Sequence, residues 1–158
     1  MKPKIVFAEK VDIPDILKFI KELAHFEKLE HEVEATEDRL RDSLFGSKKY
    51  AEVIFLEVDQ VKVGMALFFH TYSTFLGKPG IYLEDLYVRA EFRNKGYGKT
   101  LLTYLAKLTV DRDCGRLEWS VLDWNKSAID FYLSLGAKLM SDWTAQRLTG
   151  DALKNLAK

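Results

Sequence analysis

One segment near the middle of the chain constrains the fold more than any other: residues 82–99, with the sequence YLEDLYVRAEFRNKGYGK. Residues 82–88 are mostly aromatic and aliphatic, which is typical of a buried β-strand. A basic loop with two glycines follows, and after Lys99 leucines recur at helical spacing. Glycine permits sharp turns and a close approach to a ligand, and the first N–H groups of a helix have no partner inside it. The segment therefore predicts a strand, a loop and a helix whose N-terminus suits a phosphate group.

The glycine loop matches neither of the two common nucleotide-binding motifs. It lacks the G-x-x-x-x-G-K-[ST] pattern of a P-loop and the third glycine of the dinucleotide-binding fingerprint. Its spacing, Arg93-x-x-Gly96-x-Gly98, leaves two interpretations open: a phosphate site, or an ordinary turn between a strand and a helix.

Charge is distributed unevenly along a chain whose formal net charge is zero. Residues 89–99 hold four basic residues and one acidic residue, a local charge of +3. Residues 27–42 hold seven acidic and three basic residues, a local charge of −4. Both stretches are compatible with a solvated surface, but together they also suit a ligand with a phosphate end and a cationic end. The overall balance of 24 basic and 24 acidic residues argues against a general nucleic-acid binder.

Hydrophobic spacing, caps and turn residues predict the remaining elements. The predicted strands are residues 4–8, 50–58, 61–72, 82–88, 116–122, 137–140 and 145–148. The predicted helices start after Asp12, Thr36, Gly98, Asn125 and Thr149, with a loop at residues 73–80 and a helix end at Gly136.

Several acidic residues fall at positions that should be apolar. Glu27 lies where the apolar stripe of the first helix would continue, Glu84 and Asp85 lie in the middle of a strand, and Glu118 interrupts another. A buried carboxylate destabilises the fold unless a cation pairs with it. Strand alternation predicts opposite faces for Glu84 and Asp85. Glu27 and Glu84 are candidates for binding a cation, although a frayed helix end for Glu27 and pairing of one of the two adjacent strand acids with a nearby base stay open as simpler explanations.

Further features exclude whole classes of protein. The 158 residues suit one domain, and no apolar run is long enough to cross a membrane. The first residues lack the apolar core of a signal peptide. Cys114 is the only cysteine, which fits a reducing cytoplasm. The three histidines have no metal-ligand spacing, so we predict no metal site: His25, His31 and His70.

Two motifs resemble those of a known superfamily. Arg93-x-x-Gly-x-Gly98 after a strand is similar to the acetyl-CoA pyrophosphate loop of the GNAT acetyltransferases, and residues 124–137 resemble their second signature. Residues 20–27 and 82–85 resemble the spermidine/spermine (diamine) N-acetyltransferase branch. The resemblance covers nearly the whole chain. It implies one α/β (α+β) domain over residues 1–158, with a mixed, mostly antiparallel central sheet flanked by helices and splayed between strands 4 and 5.

The same resemblance implies the site residues and the cosubstrate, acetyl-CoA. Tyr132 matches the general acid of the family, and Glu84 is expected to receive the proton of the amine. The amine is expected to contact Phe26, Glu27, Glu84, Glu118 and Trp119. The residues expected to bind coenzyme A are Leu86, Tyr87, Val88, Arg93, Asn94, Lys95, Gly96, Tyr97, Gly98, Lys99, Asn125, Lys126, Ser127 and Ala128.

The implied reaction is direct acetyl transfer to a primary amine of a small polyamine, a diamine or a lysine-like molecule. Polyamine enzymes carry an acid near the end of the chain where this sequence has Thr144, with Asp142 as a possible substitute. A shorter amine, or a lysine analogue such as thialysine, therefore remains open. Two different functions also remain open: a non-catalytic acyl-CoA sensing domain and a protein-lysine acetyltransferase. By family analogy we expect a homodimer.

Overall fold

The computed structural model describes residues 2–158, in which five strands and five α-helices form. The strands are β1 (Lys4–Phe7), β2 (Glu52–Val58), β3 (Val61–Ser73), β4 (Lys78–Val88) and β5 (Leu117–Trp119). The helices are α1 (Ile13–Phe26), α2 (Glu37–Phe45), α3 (Tyr97–Asp111), α4 (Lys126–Ser134) and α5 (Gly150–Leu156).

The five strands form one open sheet in the order β1-β2-β3-β4-β5. The first four are antiparallel to their neighbours, whereas β5 runs parallel to β4. The parallel pairing is confined to Ile81–Leu83 on β4 and Leu117–Trp119 on β5. Because β4 continues to Val88 without a partner on that side, the two strands diverge. The predicted mixed, mostly antiparallel sheet that splays between strands 4 and 5 is confirmed.

Helices cover both faces of this sheet. On one face, α1 and α2 bury apolar side chains such as Phe19 and Leu40 in a core that includes Phe55 of β2. On the other, α3 approaches β3 so closely that a Cβ on Gly64 would lie 3.2 Å from the Leu101 side chain. Each large side chain fully buried in such a core contributes about 1.5–3 kcal/mol to folding. The helices therefore stabilise the sheet from both sides.

Several predicted boundaries move, and three of the changes lie close to the predicted site. Strand β4 begins at Lys78, so the predicted loop at residues 73–80 is a hairpin turn with extended arms, and β3 and β4 pair as far as Ser73 and Lys78. Helix α3 begins at Tyr97, directly after Gly96 in the left-handed conformation. Strand β5 stops at Trp119 and does not reach residue 122.

The strands predicted at residues 137–140 and 145–148 are wrong, because no strand forms there. A short extended segment is stable only when a neighbouring strand supplies its hydrogen bonds. The sequence of these two segments therefore did not indicate whether a partner strand would be available to them.

The chain divides into two compact units, one ending at Ser120 and one comprising Val121–Lys158. The first contains the sheet, α1, α2 and α3. The second contains α4 and α5, and many of its large apolar side chains are exposed, including Trp143, at 78%, and Leu156, at 71%. The single domain expected from chain length stays a prediction.

Candidate active site

The outer edge of β4 exposes backbone groups at its C-terminal end. The Arg89 N–H donates to the Val63 carbonyl oxygen on β3 at 2.9 Å. Hydrogen-bonded and non-hydrogen-bonded pairs alternate along antiparallel strands. The backbone groups of Tyr87 therefore also face β3, whereas those of Leu86 and Val88 face the open side. Of the three residues predicted to serve an acyl-CoA arm, Leu86 and Val88 have suitably directed backbone groups.

The glycine loop lies immediately beyond this edge. Asn94 and Gly96 both adopt left-handed backbone conformations, with φ of 63° and 80°. This turn directs the chain into α3, whose first N–H groups have no partner within the helix. A Cβ on Gly98 would lie 3.9 Å from the Leu86 side chain. The helix N-terminus predicted to bind a phosphate and the open edge of β4 are therefore adjacent.

The basic residues of the loop point to different surroundings. The Arg93 guanidinium carbon lies 4.4 Å from the centre of the Phe26 ring and 5.3 Å from that of Tyr87, and its Nε donates to the Val88 carbonyl at 2.9 Å. Lys95 is exposed, with its ammonium 5.7 Å from the centre of a phenylalanine ring on the preceding turn. Arg93 thus contacts the predicted amine side, while Lys95 remains available to a ligand in solvent.

The acidic pair on β4 lies at a β-bulge. Leu67 is opposite Asp85, and the next residue of β3, Phe68, is opposite Leu83, so Glu84 is an additional residue in β4. A bulge changes the direction of side chains and interrupts strict alternation. The prediction that Glu84 and Asp85 occupy opposite faces rested on that alternation, which does not hold at this position.

Two neighbouring carboxylates act on Asp85 at this bulge. Burial, together with the negative charges of Glu84 and Glu27, raises the pKa of Asp85 to about 6. Burial also raises the pKa of Glu27, which caps the C-terminus of α1. Asp85 is not among the predicted site residues, because the family resemblance points to Glu84. The signal is nonetheless present in the sequence, as two adjacent acids in the middle of a buried strand.

The two predicted amine contacts on β5 lie where the parallel pairing ends. Glu118 is opposite Tyr82, and Trp119 is opposite Leu83, one residue before the bulge. Both β5 side chains are half-buried, and the Tyr82 hydroxyl hydrogen-bonds to the Ser120 hydroxyl at 2.7 Å. These contacts place Glu118 and Trp119 on the strand bordering the splay.

The second unit carries the remaining predicted coenzyme A contacts on α4. The Asn125 side chain accepts hydrogen bonds from the Ala128 N–H and the Ser127 hydroxyl, each at 3.4 Å. Lys126 pairs with Asp130 one turn later, at 3.0 Å. Asn125 therefore has a structural role as a helix cap, and the coenzyme A contacts stay predictions.

Tyr132, the predicted general acid, also lies on α4. Its ring centre is 5.6 Å from that of Phe131. Burial raises the pKa of its phenol above the ordinary value, so the group stays protonated and able to donate at neutral pH. Thr144 is exposed and lies outside any helix or strand.

Metal-ligand clusters and membrane-spanning helices are both absent from the described chain. Within residues 2–158, no group of three or more histidine, cysteine, aspartate or glutamate side chains has an arrangement that could hold a metal ion. None of the helices within the same residues is both long enough and apolar enough to span a membrane.

Comparisons with known proteins agree with this architecture. Residues 16–137 match the family model described as Acetyltransferase (GNAT) family. The L-ornithine N5-acetyltransferase NATA1 of Arabidopsis thaliana is 36% identical over 203 aligned residues, covering 100% of this chain and 89% of that protein. The thialysine N-epsilon-acetyltransferase of Sus scrofa is 35% identical, with coverage of 95% and 94%.

Among solved structures, an integron cassette protein from the mobile metagenome of V. cholerae superposes with a TM-score of 0.84 at 26% identity, covering 100% of this chain and 99% of that one. The match to the family extends across most of the sheet, the glycine loop and α4. The predicted resemblance is confirmed, and the named enzymes favour catalysis over a sensing role. The chain belongs to the acetyltransferase (GNAT) family and is an N-acetyltransferase.

Proposed function

We propose that this protein transfers the acetyl group of acetyl-CoA to a primary amine of a small diamine or a lysine-like amino acid. One observation carries the proposal. The open edge of β4 at Leu86 and Val88 leads directly to the glycine loop, and the Glu84–Asp85 bulge immediately precedes it. An extended acyl-CoA arm can pair with such an edge as an added strand, so the thioester would lie near the carboxylates.

Backbone groups would bind and polarise the thioester. The outward N–H of Leu86 is the proposed donor to the thioester oxygen as it acquires negative charge. The outward N–H of Val88 would hold the arm, since the Val88 carbonyl already accepts a hydrogen bond from the Arg93 Nε. The pyrophosphate would lie against the loop between Asn94 and Lys99, where the N-terminus of α3 favours negative charge. Preorganised donors of this kind commonly contribute the largest share of the catalysis of acyl transfer.

The carboxylates would bind the amine and remove its proton. A primary alkyl amine has a pKa of about 10.4, so most of it arrives as a cation that cannot attack. Glu27, Glu84 and Asp85 supply negative charge for that cation. A base works best when its pKa is close to the working pH, which favours Asp85, with a pKa of about 6, as a partner of Glu84 in proton removal.

In the proposed reaction, the neutral amine nitrogen attacks the carbonyl carbon, a C–N bond forms and the C–S bond breaks. The ammonium first loses one proton to the carboxylate pair, directly or through water, and the nitrogen loses its second proton to solvent as the tetrahedral intermediate collapses. Tyr132 donates its proton to the leaving thiolate and later recovers one from solvent. The products are the N-acetylated amine and coenzyme A.

The relatives and the sequence both favour a short amine. The two similar enzymes described above are named for ornithine and thialysine, which carry one side-chain amine each on an amino acid. The acid that polyamine enzymes carry near the end of the chain is replaced here by Thr144. We therefore propose that thialysine or ornithine is a better substrate than spermine.

We further propose a cytoplasmic homodimer built from one domain per chain. The support is the family analogy and the apolar side chains that the second unit exposes, such as Trp143 and Leu156. Sizing by light scattering at micromolar concentration should give twice the chain mass of 18.2 kDa. A mass equal to one chain would refute this part of the proposal.

The experiment that tests the function is release of free thiol from acetyl-CoA with a panel of ornithine, thialysine, 1,3-diaminopropane, spermidine, spermine and a lysine-containing peptide. Glu84→Gln and Glu27→Gln are compared with wild type. Glu84→Gln should lower kcat, because Glu84 lies at the reacting end, whereas Glu27→Gln should mainly raise KM for the amine. Preference for the peptide would instead support a protein-lysine acetyltransferase.

A further inference from the structure

Arg93 occupies the first position of the phosphate-loop motif, but its charged group points towards the amine side. Its guanidinium lies over the Phe26 ring at 4.4 Å and is also within 5.3 Å of the Tyr87 ring centre. Its Nε donates to the Val88 carbonyl at 2.9 Å. Arg89, four residues earlier, instead meets a carboxylate on α1, that of Glu22, at 3.2 Å. The charge of Arg93 is thus balanced by two aromatic faces and one carbonyl.

The three contacts of Arg93 come from three functionally different places. Phe26 is the last residue of α1 and precedes Glu27, in the predicted amine pocket. The Val88 carbonyl belongs to the open edge of β4, where the acyl-CoA arm is proposed to pair. Arg93 itself begins the loop proposed to hold the pyrophosphate. One planar group therefore joins the amine pocket, the edge of β4 and the phosphate loop.

We propose that Arg93 is a positioning residue that links the two binding steps, so that coenzyme A and the amine each strengthen the binding of the other. The inference rests on the proposed function, since it presupposes that both ligands bind at these places. The physical basis is that both ligands would order the same side chains. A ligand that fixes the loop also fixes Arg93, and through it Phe26, which is 40% exposed. The second ligand then has less disorder to remove on binding.

The proposed coupling between coenzyme A and the amine is positive, and its size can be measured. Coupling between two sites is typically about 5- to 150-fold in affinity, and it is the same whichever ligand binds first. We expect coenzyme A to strengthen thialysine binding by at least about 5-fold, at the lower end of that range, because a single side chain carries the linkage. Thialysine should strengthen coenzyme A binding by the same factor.

The test is calorimetric titration of thialysine into the protein alone and into the protein saturated with coenzyme A, which cannot donate an acetyl group. The order is then reversed. Three variants are compared with wild type: Phe26→Leu, Arg93→Lys and Arg93→Gln. Lysine keeps the positive charge but loses the planar stacking surface. All three variants should reduce the coupling factor to less than about 2-fold, below the usual allosteric range.

Lys95→Gln is the matched control. It removes a charge from the same loop, but its ammonium lies over a different ring, that of Phe92. We expect it to weaken coenzyme A while leaving the coupling factor unchanged. Circular dichroism and thermal melting establish whether each variant is folded. If the Arg93 variants do not fold, the Phe26→Leu variant still decides the test.

The possible failures are distinguishable. A wild-type protein that binds both probes, but with no coupling, would overturn this inference and leave the proposed function standing. Phe26→Leu and Arg93→Lys variants that retain the full coupling factor would also overturn this inference and leave the proposed function standing. A wild-type protein that binds neither probe, or binds coenzyme A but no thialysine, would overturn the proposed function or its substrate class, and this inference with it.

Discussion

At the scale of single residues, the carboxylates of β4 show most clearly where residues proposed to bind a ligand differ from those that would best stabilise the fold. Glu84 is exposed and Asp85 half-buried in a strand that is otherwise largely apolar, and the bulge at Glu84 accommodates both. The raised pKa of Asp85 means that its ionised form is disfavoured in the folded protein. An arrangement that costs stability is expected where a charge is held for a ligand.

The cost at Asp85 gives a pH prediction. Its pKa is about 6 in the fold, against an ordinary value of 3.8. The folded state then binds more protons than the unfolded state between these values, so stability falls as pH rises through this window. Asp85→Asn, which cannot ionise, should be more stable than wild type at pH 8 by on the order of 1–3 kcal/mol and nearly equal at pH 4.

Urea unfolding of both proteins at pH 4 and pH 8 measures this difference. Asp42→Asn is the control, because Asp42 is an exposed aspartate on α2. It shows how the loss of one exposed aspartate affects stability at each pH value. A stability difference for Asp85→Asn that does not grow with pH would show that Asp85 is solvated and bears no strain.

A second residue-scale prediction concerns Tyr132. Tyr132→Phe keeps the ring and removes only the acidic hydroxyl, so folding and acetyl-CoA affinity should remain. General acid catalysis commonly contributes about 10²–10⁴-fold, and kcat should fall within that range. Steady-state kinetics would measure kcat, and calorimetry on the same sample would measure acetyl-CoA affinity. A fall of less than about 3-fold would make Tyr132 a packing residue.

At the scale of elements, the sequence predicted most where local chemistry determines structure. Strand β4, the loop and α3 follow from apolar spacing and two glycines, and Gly96 has the positive φ that its loop position requires. The bulge at Glu84 was not predictable, since an additional residue in a ladder depends on the partner strand. The stacking of Arg93 on Phe26 joins residues far apart in sequence, and no local pattern encodes it.

The loop and α3 give an element-scale prediction through Gly98. A Cβ there would meet only the Leu86 side chain within 4 Å, at the ordinary contact distance of 3.9 Å. Alanine is also a better helix former than glycine by about 1 kcal/mol. Gly98→Ala should therefore fold at least as well as wild type and yet bind acetyl-CoA about 10-fold or more weakly, because its methyl group enters space proposed for the pyrophosphate.

Thermal melting and calorimetry together test Gly98→Ala. Gly64→Ala is the contrasting variant, because its Cβ would lie 3.1 Å from the Tyr87 carbonyl and 3.2 Å from Leu101 inside the core. It should lose stability through crowding. Unchanged acetyl-CoA affinity in a stable Gly98→Ala protein would place the phosphates away from this helix.

At the scale of the whole molecule, the sequence predicted the sheet, its mixed topology and its splay through family resemblance. It predicted the second unit less well. The two strands predicted within residues 137–148 do not form, because strand formation needs a partner that a local pattern does not supply. Likewise, the position of Tyr132 on an apolar stripe indicates packing, and only the resemblance assigns it a chemical role.

The molecule as a whole also separates charge in the way the chemistry requires. The acidic residues that follow α1, with a local charge of −4, and the basic residues around the glycine loop, with a local charge of +3, occupy different segments of a chain whose formal net charge is zero. This arrangement suits a cationic amine at one end and an anionic cosubstrate at the other. Salt should therefore weaken the binding of both substrates, which steady-state KM values at low and high ionic strength would reveal.

The most direct test of the central claim is thiol release from acetyl-CoA by the purified wild-type protein, with thialysine, ornithine and spermine as competing amines and mass spectrometry of the products. We predict stoichiometric thiol and N-acetylated amine, with kcat/KM higher for thialysine or ornithine than for spermine and strongly reduced in Glu84→Gln. Acetyl-CoA that binds but is never consumed with any amine, or an acetylated product whose formation is unaffected by Glu84→Gln, would contradict the account.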